Sequence, residues 1–525
     1  MIFRGLNCML TLAATALALL LALALGWTVS EVGSLNELNQ SIAGTTDARR
    51  GAYRATATAL AGDEHAGLRA ASSIILLQDS ADSPTAEAAT PEPATDAAPA
   101  TATPRPDDFD LPKLLVPREP ADGKWLSGTR VPRPAPETYR AHRLINIMLL
   151  GSDAQTADNF IRTDTMVIVS LNVETGTVAM LSLPRDLFVY IPHGNMGRLN
   201  TAFGIGENLQ WDPGRGFGLL RQTIFYNFGI NVHYYARVDF AGFEAIIDRL
   251  QGVDIAVDCA YRDYYPIGNA EERRTGSRGY RWRTLPVGYH NFDGFDALWY
   301  ARTRKYTDDF DRGRRHQLLV RAIWRKARSL GLATTLPQLW PELTDIVDTD
   351  IPFDLMLRLL PFVINLDLND VASFTFKKNY HTVQWTTRDG WLVLLPQREA
   401  VAQLMQALYT PPSKYQSVLT GPSIAVYNAS GEENWDIVAS ERLRWDGYNA
   451  IALGALADGK DYASNQLTDR AATVKGSLVP GILSALNMDL EQVEVDASAD
   501  RDYDYEVIIG RDYESCTYGV LPLDG

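Results

Sequence analysis

The chain has 525 residues, 46% hydrophobic and 22% charged, a globular balance with length for two or three domains. Its formal net charge of -15 argues against a general nucleic-acid binder, which needs a basic footprint, but leaves room for a local basic site. Three cysteines (Cys8, Cys259, Cys516), with no CxxC and no His-rich cluster, argue against structural zinc. Cys259 and Cys516 are open to pairing in an oxidising compartment or to standing as separate thiols.

Residues 6–29 (LNCMLTLAATALALLLALALGWTV) carry no charge and are long enough to cross a hydrocarbon core of ~30 Å. Arg4 is the only charge before them, which puts the N-terminus in the cytoplasm. The run exceeds the about 7–15 apolar residues of a cleaved signal peptide. Residues 1–29 are therefore expected to be a cytoplasmic tip and an uncleaved signal anchor. The rest of this single-pass cell-membrane protein would then be extracytoplasmic. Residues 30–140 read as a spacer. Between 80 and 106 they are dominated by Ala, Thr, Pro and Asp, too polar to offset chain entropy by burial.

A head domain is expected over 141–410. Residues 144–150 (LINIMLL), 164–171 (DTMVIVSL) and 178–183 (VAMLSL) are short apolar runs bounded by turn residues, the pattern of buried strands. Helices follow at 218–228 and 240–250, a strand at 253–257, a basic loop at 262–284 and a helix at 318–330. Residues 335–410 extend the same domain, with a strand near 372–376. After Pro411 and Pro412, residues 421–515 form a smaller α/β unit that opens on the strand SIAVYN and closes on VIIG.

If the first three strands form an antiparallel meander, both of their short connections fix which ends meet. Asp153 follows strand one, Arg162 and Asp164 open strand two, and Arg185 and Asp186 follow strand three. All then share one rim, where ligands of α/β sheets sit. Asp153 and Asp164 offer hard oxygen ligands of the kind magnesium takes together with substrate phosphates. Arginine supplies a planar fork for phosphate oxygens.

A second cluster reads ALWYARTRKYTDDFDRGRRHQ over 297–317. Arg302 and Arg304, two apart, share a face if the segment is extended. Arg312 and Arg315 share one if they open the following helix, whose positive end suits Asp308, Asp309 and Asp311. Residues 262–328 hold about sixteen Lys and Arg against eight Asp and Glu, a basic island that implies an anionic ligand.

The motifs GSD, RTDT, LSLPRD, RLNTAF, VDFAGF, LQGVDIAV, ALWYARTR and DFDRGRRHQ, in this order, resemble the LytR-CpsA-Psr (LCP) family across residues 143–330 and more weakly to 410. Residues 423–513 resemble the LytR C-terminal domain. The resemblance implies an α/β/α sandwich around a central mixed sheet. It also implies a phosphotransferase that moves a glycopolymer from an undecaprenyl (di)phosphate carrier to peptidoglycan, with pyrophosphatase activity as a possible accompaniment. By motif, Asp153 and Asp164 would hold magnesium or manganese. Arg162, Arg185, Arg302, Arg304 and Arg312 would bind the diphosphate with Arg315, Gln317 and Asn200, and Asp309 with Arg312 would stand at the chemistry. The family often has Gln directly after the second Arg of the last motif. Here that position is His316, so the polar role falls to Gln317 or His316. The resemblance also implies a lipid pocket, for which 218–228 and 240–250 are candidate walls.

Two other readings compete: a transcription attenuator, and a non-catalytic wall-binding protein. The expected anchor and the acidic charge oppose the first. The intact carboxylate and arginine set opposes the second. No nucleic-acid partner is expected.

Overall fold

The computed structural model describes residues 123–140, 143–153, 160–331, 344–367, 370–410, 421–457, 459–473, 476–498 and 500–516. The expected anchor and most of the spacer lie outside these residues. Among the described residues no helix is long and apolar enough to cross a membrane.

The three predicted strands are β1 (Leu144–Ser152), β2 (Thr163–Asn172) and β3 (Thr177–Ser182), and they pair antiparallel in sequence order. Helix α1 (Arg215–Phe228) leads to β4 (Tyr234–Val238), which lies parallel to β1. Helix α2 (Phe240–Arg249) begins at Asp239, whose side chain accepts from Gly242 N. Next come β5 (Val253–Val257), the hairpin of β6 (Tyr261–Pro266) and β7 (Tyr280–Leu285), and β8 (Gly288–Phe292), antiparallel to β5. Helices α3 (Gly294–Arg302) and α4 (Asp309–Ser329) follow, then β9 (Asp348–Thr349), β10 (Val371–Thr375) and α5 (Arg398–Tyr409). The central sheet has the order β9-β4-β1-β2-β3-β10 and is mixed.

Strand β1 is almost wholly buried because both of its faces are covered. Ile145, Ile147 and Leu149 join one core with Ile246, Trp299, Leu319 and Ile323 from α2, α3 and α4. Leu144, Met148 and Leu150 join the other with Leu220, Ile224 and Met405 from α1 and α5. The result is helices on both faces of a mixed sheet, as expected.

Three expectations need correction. Residues 262–284 are not a loop but the β6–β7 hairpin, with a short helix (Ala270–Thr275) between its strands. That helix starts on a capping box between Asn269 and Glu272. The helix expected at 318–330 begins at Asp309, because the Asp308 carboxylate accepts from the backbone of Phe310 and Asp311 at 3.0 and 2.9 Å. Arg302 and Arg304 are not in an extended segment: Arg302 ends α3 and Thr303 is its C-cap.

The C-terminal unit is a five-stranded sheet, β12-β11-β15-β13-β14, formed by β11 (Ser423–Asn428), β12 (Asn449–Ala455), β13 (Gln466–Asp469), β14 (Val493–Val495) and β15 (Tyr505–Ile509). Helix α6 (Trp435–Trp445) packs between this sheet and the head: its core takes in Ala256 of β5, with Val287 and Tyr289 against it. Asp258 accepts both terminal nitrogens of Arg314, at 3.1 and 2.8 Å, and lies 3.5 Å from Arg442 of α6. Arg325 of α4 reaches Glu441 at 3.1 Å. Cys259 and Cys516 form a disulfide across the same seam, which decides the alternative left open by the sequence.

Candidate active site

The rim predicted from topology forms. Asp164, second residue of β2, accepts from Arg185 Nη1 at 3.0 Å and from Asn200 Nδ2 at 3.1 Å. Arg185 Nε lies 3.3 Å from Asp186 and 3.5 Å from Asp309, and Arg312 Nη2 lies 2.8 Å from Asp309. A chain of alternating charge thus runs from β2 across the turn after β3 to the first turn of α4. Arg198 closes it with Asp186 at 3.1 Å.

Asp153 follows β1 directly. Its Oδ1 is buried and has no hydrogen-bond partner among the described residues. Burial, and then the charge of Asp164, push its carboxyl above the usual range against a hydrogen bond from its own backbone and the pull of Arg162 and Arg302. Asp164 is also penalised by burial, but Arg185, Asn200 and Arg312 outweigh this and hold it below that range. Two carboxylates that repel one another, one with an unpartnered buried oxygen, are a donor set suited to a cation.

Beside the rim lies a cavity of about 960 Å³. Its apolar wall includes Val167, Val238, Phe240, Phe243, Leu298, Leu319 and Val320, and its polar wall Asp153, Asp164, Arg302, Arg304, Arg312 and His316. Arg302 lies 4.3 Å over the Phe240 ring, so it bridges the two walls. Asp263 of β6 accepts from the backbone of Arg304 and Lys305 at 2.8 and 3.2 Å, and so shapes the turn that carries both cations. Asp263 and Lys305 escaped the sequence reading, because nothing local marks a carboxylate about forty positions away as the support of that turn. Of the expected pocket helices, α2 lines the cavity; α1 does not, since it packs on the opposite face of the sheet.

Arg302, Arg304 and Arg312 therefore share the cavity wall with both aspartates. Arg162 acts electrostatically on Asp153 and lies 5.1 Å from the Phe160 ring. Two expected ligand-binding residues do not reach the site. Arg315 is fully buried, bonded to Asp311 at 2.9 Å, to the carbonyls of Tyr300 and Thr303, and to Thr307. Gln317 is fully buried and donates to Ser182 Oγ and to Phe374 O, each at 2.8 Å. Both are structural: one helical step turns their side chains from the cavity into the protein. Between the two candidates for the polar role, His316 is the one that faces the cavity, 3.1 Å from Ala301 O and 3.4 Å from Thr165. Burial, then Arg312 and Arg315, push its pKa down to about 3, so the ring is neutral at ordinary pH.

Gly313 sets the position of this helix. Ser182 Oγ, at the end of β3, donates to its carbonyl at 2.8 Å, and a Cβ on Gly313 would stand 2.9 Å from Ser182 Cβ.

Fold and site together describe an α/β protein that gathers arginines and carboxylates beside an apolar cavity, equipment for an amphipathic anion. The chain belongs to the LytR_cpsA_psr family, whose profile matches residues 128–409, just over half of the sequence. It is 32% identical over 226 residues to the polyisoprenyl-teichoic acid–peptidoglycan teichoic acid transferase TagU of Oceanobacillus iheyensis. That alignment covers 43% of this chain and 64% of TagU, so less than two thirds of that relative is matched. It is 32% identical over 251 residues to the regulatory protein MsrR of Staphylococcus aureus, covering 47% of this chain and 68% of MsrR. A solved structure of TagT bound to LIIa-WTA aligns with a TM-score of 0.39 and 25% identity, covering 50% of this chain and 89% of that one. The family match ends before the C-terminal unit.

Proposed function

We propose that this chain is a phosphotransferase that moves a glycopolymer from a polyprenyl diphosphate carrier to peptidoglycan. The observation that carries the reading is the shared wall: Asp153, Asp164, Arg302, Arg304 and Arg312 border the same cavity as a run of apolar side chains. A prenyl chain matches the apolar part and a diphosphate the polar part. The name of TagU, 32% identical to this chain over 226 residues, points to the same reaction class.

In this reading Asp153 and Asp164 hold a magnesium or manganese ion, which the unpartnered Oδ1 of Asp153 suits. Two protein ligands suffice because magnesium keeps waters and phosphate oxygens in its shell. Such an ion would neutralise charge on the phosphoryl oxygens. Arg302, Arg304 and Arg312 fix the diphosphate and meet the charge that develops on it. An acceptor hydroxyl oxygen bonds to the phosphorus nearer the glycan, and that phosphorus separates from the bridging oxygen. Prenyl phosphate leaves, and the hydroxyl proton passes to a base. Asp309 holds Arg312 and Arg185 in register for this step.

The signal anchor over residues 6–29, the extracytoplasmic placement and the assignment of 421–515 as a LytR C-terminal-like domain complete the proposal. Calorimetry of the full chain with magnesium and a prenyl diphosphate tests its core. Binding should be lost in the Asp153→Asn, Asp164→Asn double variant; unchanged binding overturns the metal assignment.

A further inference from the structure

We infer that the outer face of the β6–β7 hairpin, together with Tyr306, is a membrane-docking surface through which a lipid-linked substrate enters the adjoining cavity. The nature of that substrate rests on the function proposed above; the surface itself rests on the exposed rings and cations of the hairpin. A hairpin packed on a protein buries alternate residues and presents the others to solvent, where polar side chains are the rule. Beneath this one lie Tyr261, Tyr265 and Leu285, all buried. On the outer face Tyr264 and Trp282 stand directly opposite in register, yet are 48% and 41% exposed; Tyr280 and Tyr306 are 61% and 48% exposed. Large aromatic patches of this kind on a globular surface mark interaction sites.

The arrangement of the rings selects the partner. Tyr264 and Trp282 stack with centroids 4.2 Å apart, and Tyr306 lies 6.5 Å from Trp282. Arg262 lies 5.2 Å from the Trp282 centroid and Lys305 Nζ 5.7 Å from that of Tyr264. A glycan stacks its apolar face on an open ring face, but these ring faces already have ring and cation neighbours. Aromatic rings interleaved with cations are instead what the interfacial layer of a bilayer accepts: Trp and Tyr settle at headgroup depth while Arg and Lys meet lipid phosphates. Residues 261–306 hold nine Arg and Lys against five Asp and Glu, in a chain of net charge -15. That local excess complements an anionic membrane.

The face is also continuous with the cavity. Tyr264, Tyr280, Arg304 and Lys305 line the cavity and are exposed, so they mark where it meets solvent. A prenyl chain leaving the bilayer there reaches Phe240 and Phe243 without crossing bulk water.

The test uses the full chain with Cys8→Ser, so that only an introduced thiol reacts. A polarity-sensitive fluorophore is placed at Tyr306→Cys or, as a control on the C-terminal unit, at Leu490→Cys, a position 73% exposed. The protein is reconstituted in phosphatidylglycerol–phosphatidylcholine vesicles containing lipid spin-labelled near the headgroup. Quenching at 306 should exceed that at 490 by about threefold or more, as interfacial insertion demands. An anchor alone would hold both labels near the vesicle without this difference, so equal quenching overturns the proposal whatever the enzymatic activity. A second arm compares substrates. Trp282→Ser with Tyr306→Ser, neither of which lines the cavity, should lower transfer from a long-chain prenyl diphosphate-linked saccharide in vesicles to peptidoglycan about tenfold, while transfer from the soluble geranyl diphosphate-linked saccharide proceeds as before. Equal loss with both substrates overturns docking. No turnover by the unmodified chain with either substrate refutes the proposed function and leaves docking to the quenching result. A response of the 306 label to soluble peptidoglycan fragments but not to vesicles reassigns the face to glycan.

Discussion

Helix α4 feeds two clusters of arginine and aspartate that have the same composition and opposite character. At its first turn, Arg312 joins Asp164, Asp153, Arg302 and Arg304 around the cavity. Two residues on, Arg314 turns to the seam with the C-terminal unit, where it shares Asp258 with Arg442. Both oxygens of Asp258 are taken, and although burial opposes its charge, Arg314 and Arg442 hold its carboxyl below the usual range. Asp153 keeps an oxygen with no partner among the described residues, and burial with Asp164 pushes it the other way. The residue types alone do not separate a seam from a site. What separates them is the carboxylate: at the seam both oxygens of Asp258 are paired within the chain, whereas at the rim an oxygen of Asp153 waits for something else.

The contrast is broken most severely at the seam. Asp258→Ala removes the buried carboxylate that Arg314 and Arg442 share, leaving Arg314 with Asp311 at 3.6 Å and Arg442 with Asp446 at 3.2 Å, and should cost about 3 kcal/mol; chemical denaturation of the full chain measures it. A loss below about 1 kcal/mol would mean the seam is wetter than its burial indicates. Next in size is the disulfide. Cys259→Ser with Cys516→Ser opens a link across a sequence separation of 257. That should lower stability by about 2–4 kcal/mol and leave diphosphate turnover of the folded protein intact. Lost turnover at full stability would instead make the seam part of the site.

At the rim the signs reverse. Arg302→Lys keeps a cation and an aliphatic stem but loses the bidentate fork, so activity should fall by one to two orders of magnitude, or roughly 1.5–3 kcal/mol, while Tm holds. Near-normal turnover in both Arg302→Lys and Arg304→Lys would remove these residues from the site.

The smallest effect is a matter of pH. Burial pushes both His233 and His316 down to about 3, from an ordinary 6.5. Between those values the unfolded chain binds more protons than the folded one, so stability is complete above pH 6.5 and is lost as pH falls through the window. Asp350, pushed up to about 6 by burial, acts in the opposite sense above its ordinary 3.8 and offsets one of the two. His316→Gln should therefore flatten stability against pH across this window by about one proton in slope. An unchanged slope would show that His316 is charged in the folded protein.

Much of the head was legible because its strands announce themselves. The segments 144–150, 164–171 and 178–183 are apolar runs between turn residues, and short connections permit few pairings. The carboxylate rim followed from that topology. The assignments that failed each needed knowledge of a neighbour. Arg315 and Gln317 share a motif with Arg312, but a step of three or five along a helix decides between cavity and interior only once the packing of α4 is known. Helix α1 has an apolar face, as α2 does, and nothing local says which side of the sheet it covers. The β6–β7 hairpin was masked by its own charge: its alternation carries Tyr and Trp on the outward face, where a polar residue would have made the strand pattern plain. The Cys259–Cys516 pairing depended on a domain seam that no spacing encodes.

Gly313 carries a consequence for how this protein can change. The helix that holds Arg312 rests on Ser182 with no room for a methyl between them. Any side chain there must lift the helix by tenths of an ångström, and a misplacement of about 1 Å at a reacting centre is enough to lose a hundredfold in rate. The contact works like the fixed jaw of a vice. Under the proposed function, apolar residues of the cavity wall such as Val167 and Leu298 can be exchanged for others of similar size without touching the arginines. The jaw itself has to stay bare, so variation among chains of this design should spare Gly313.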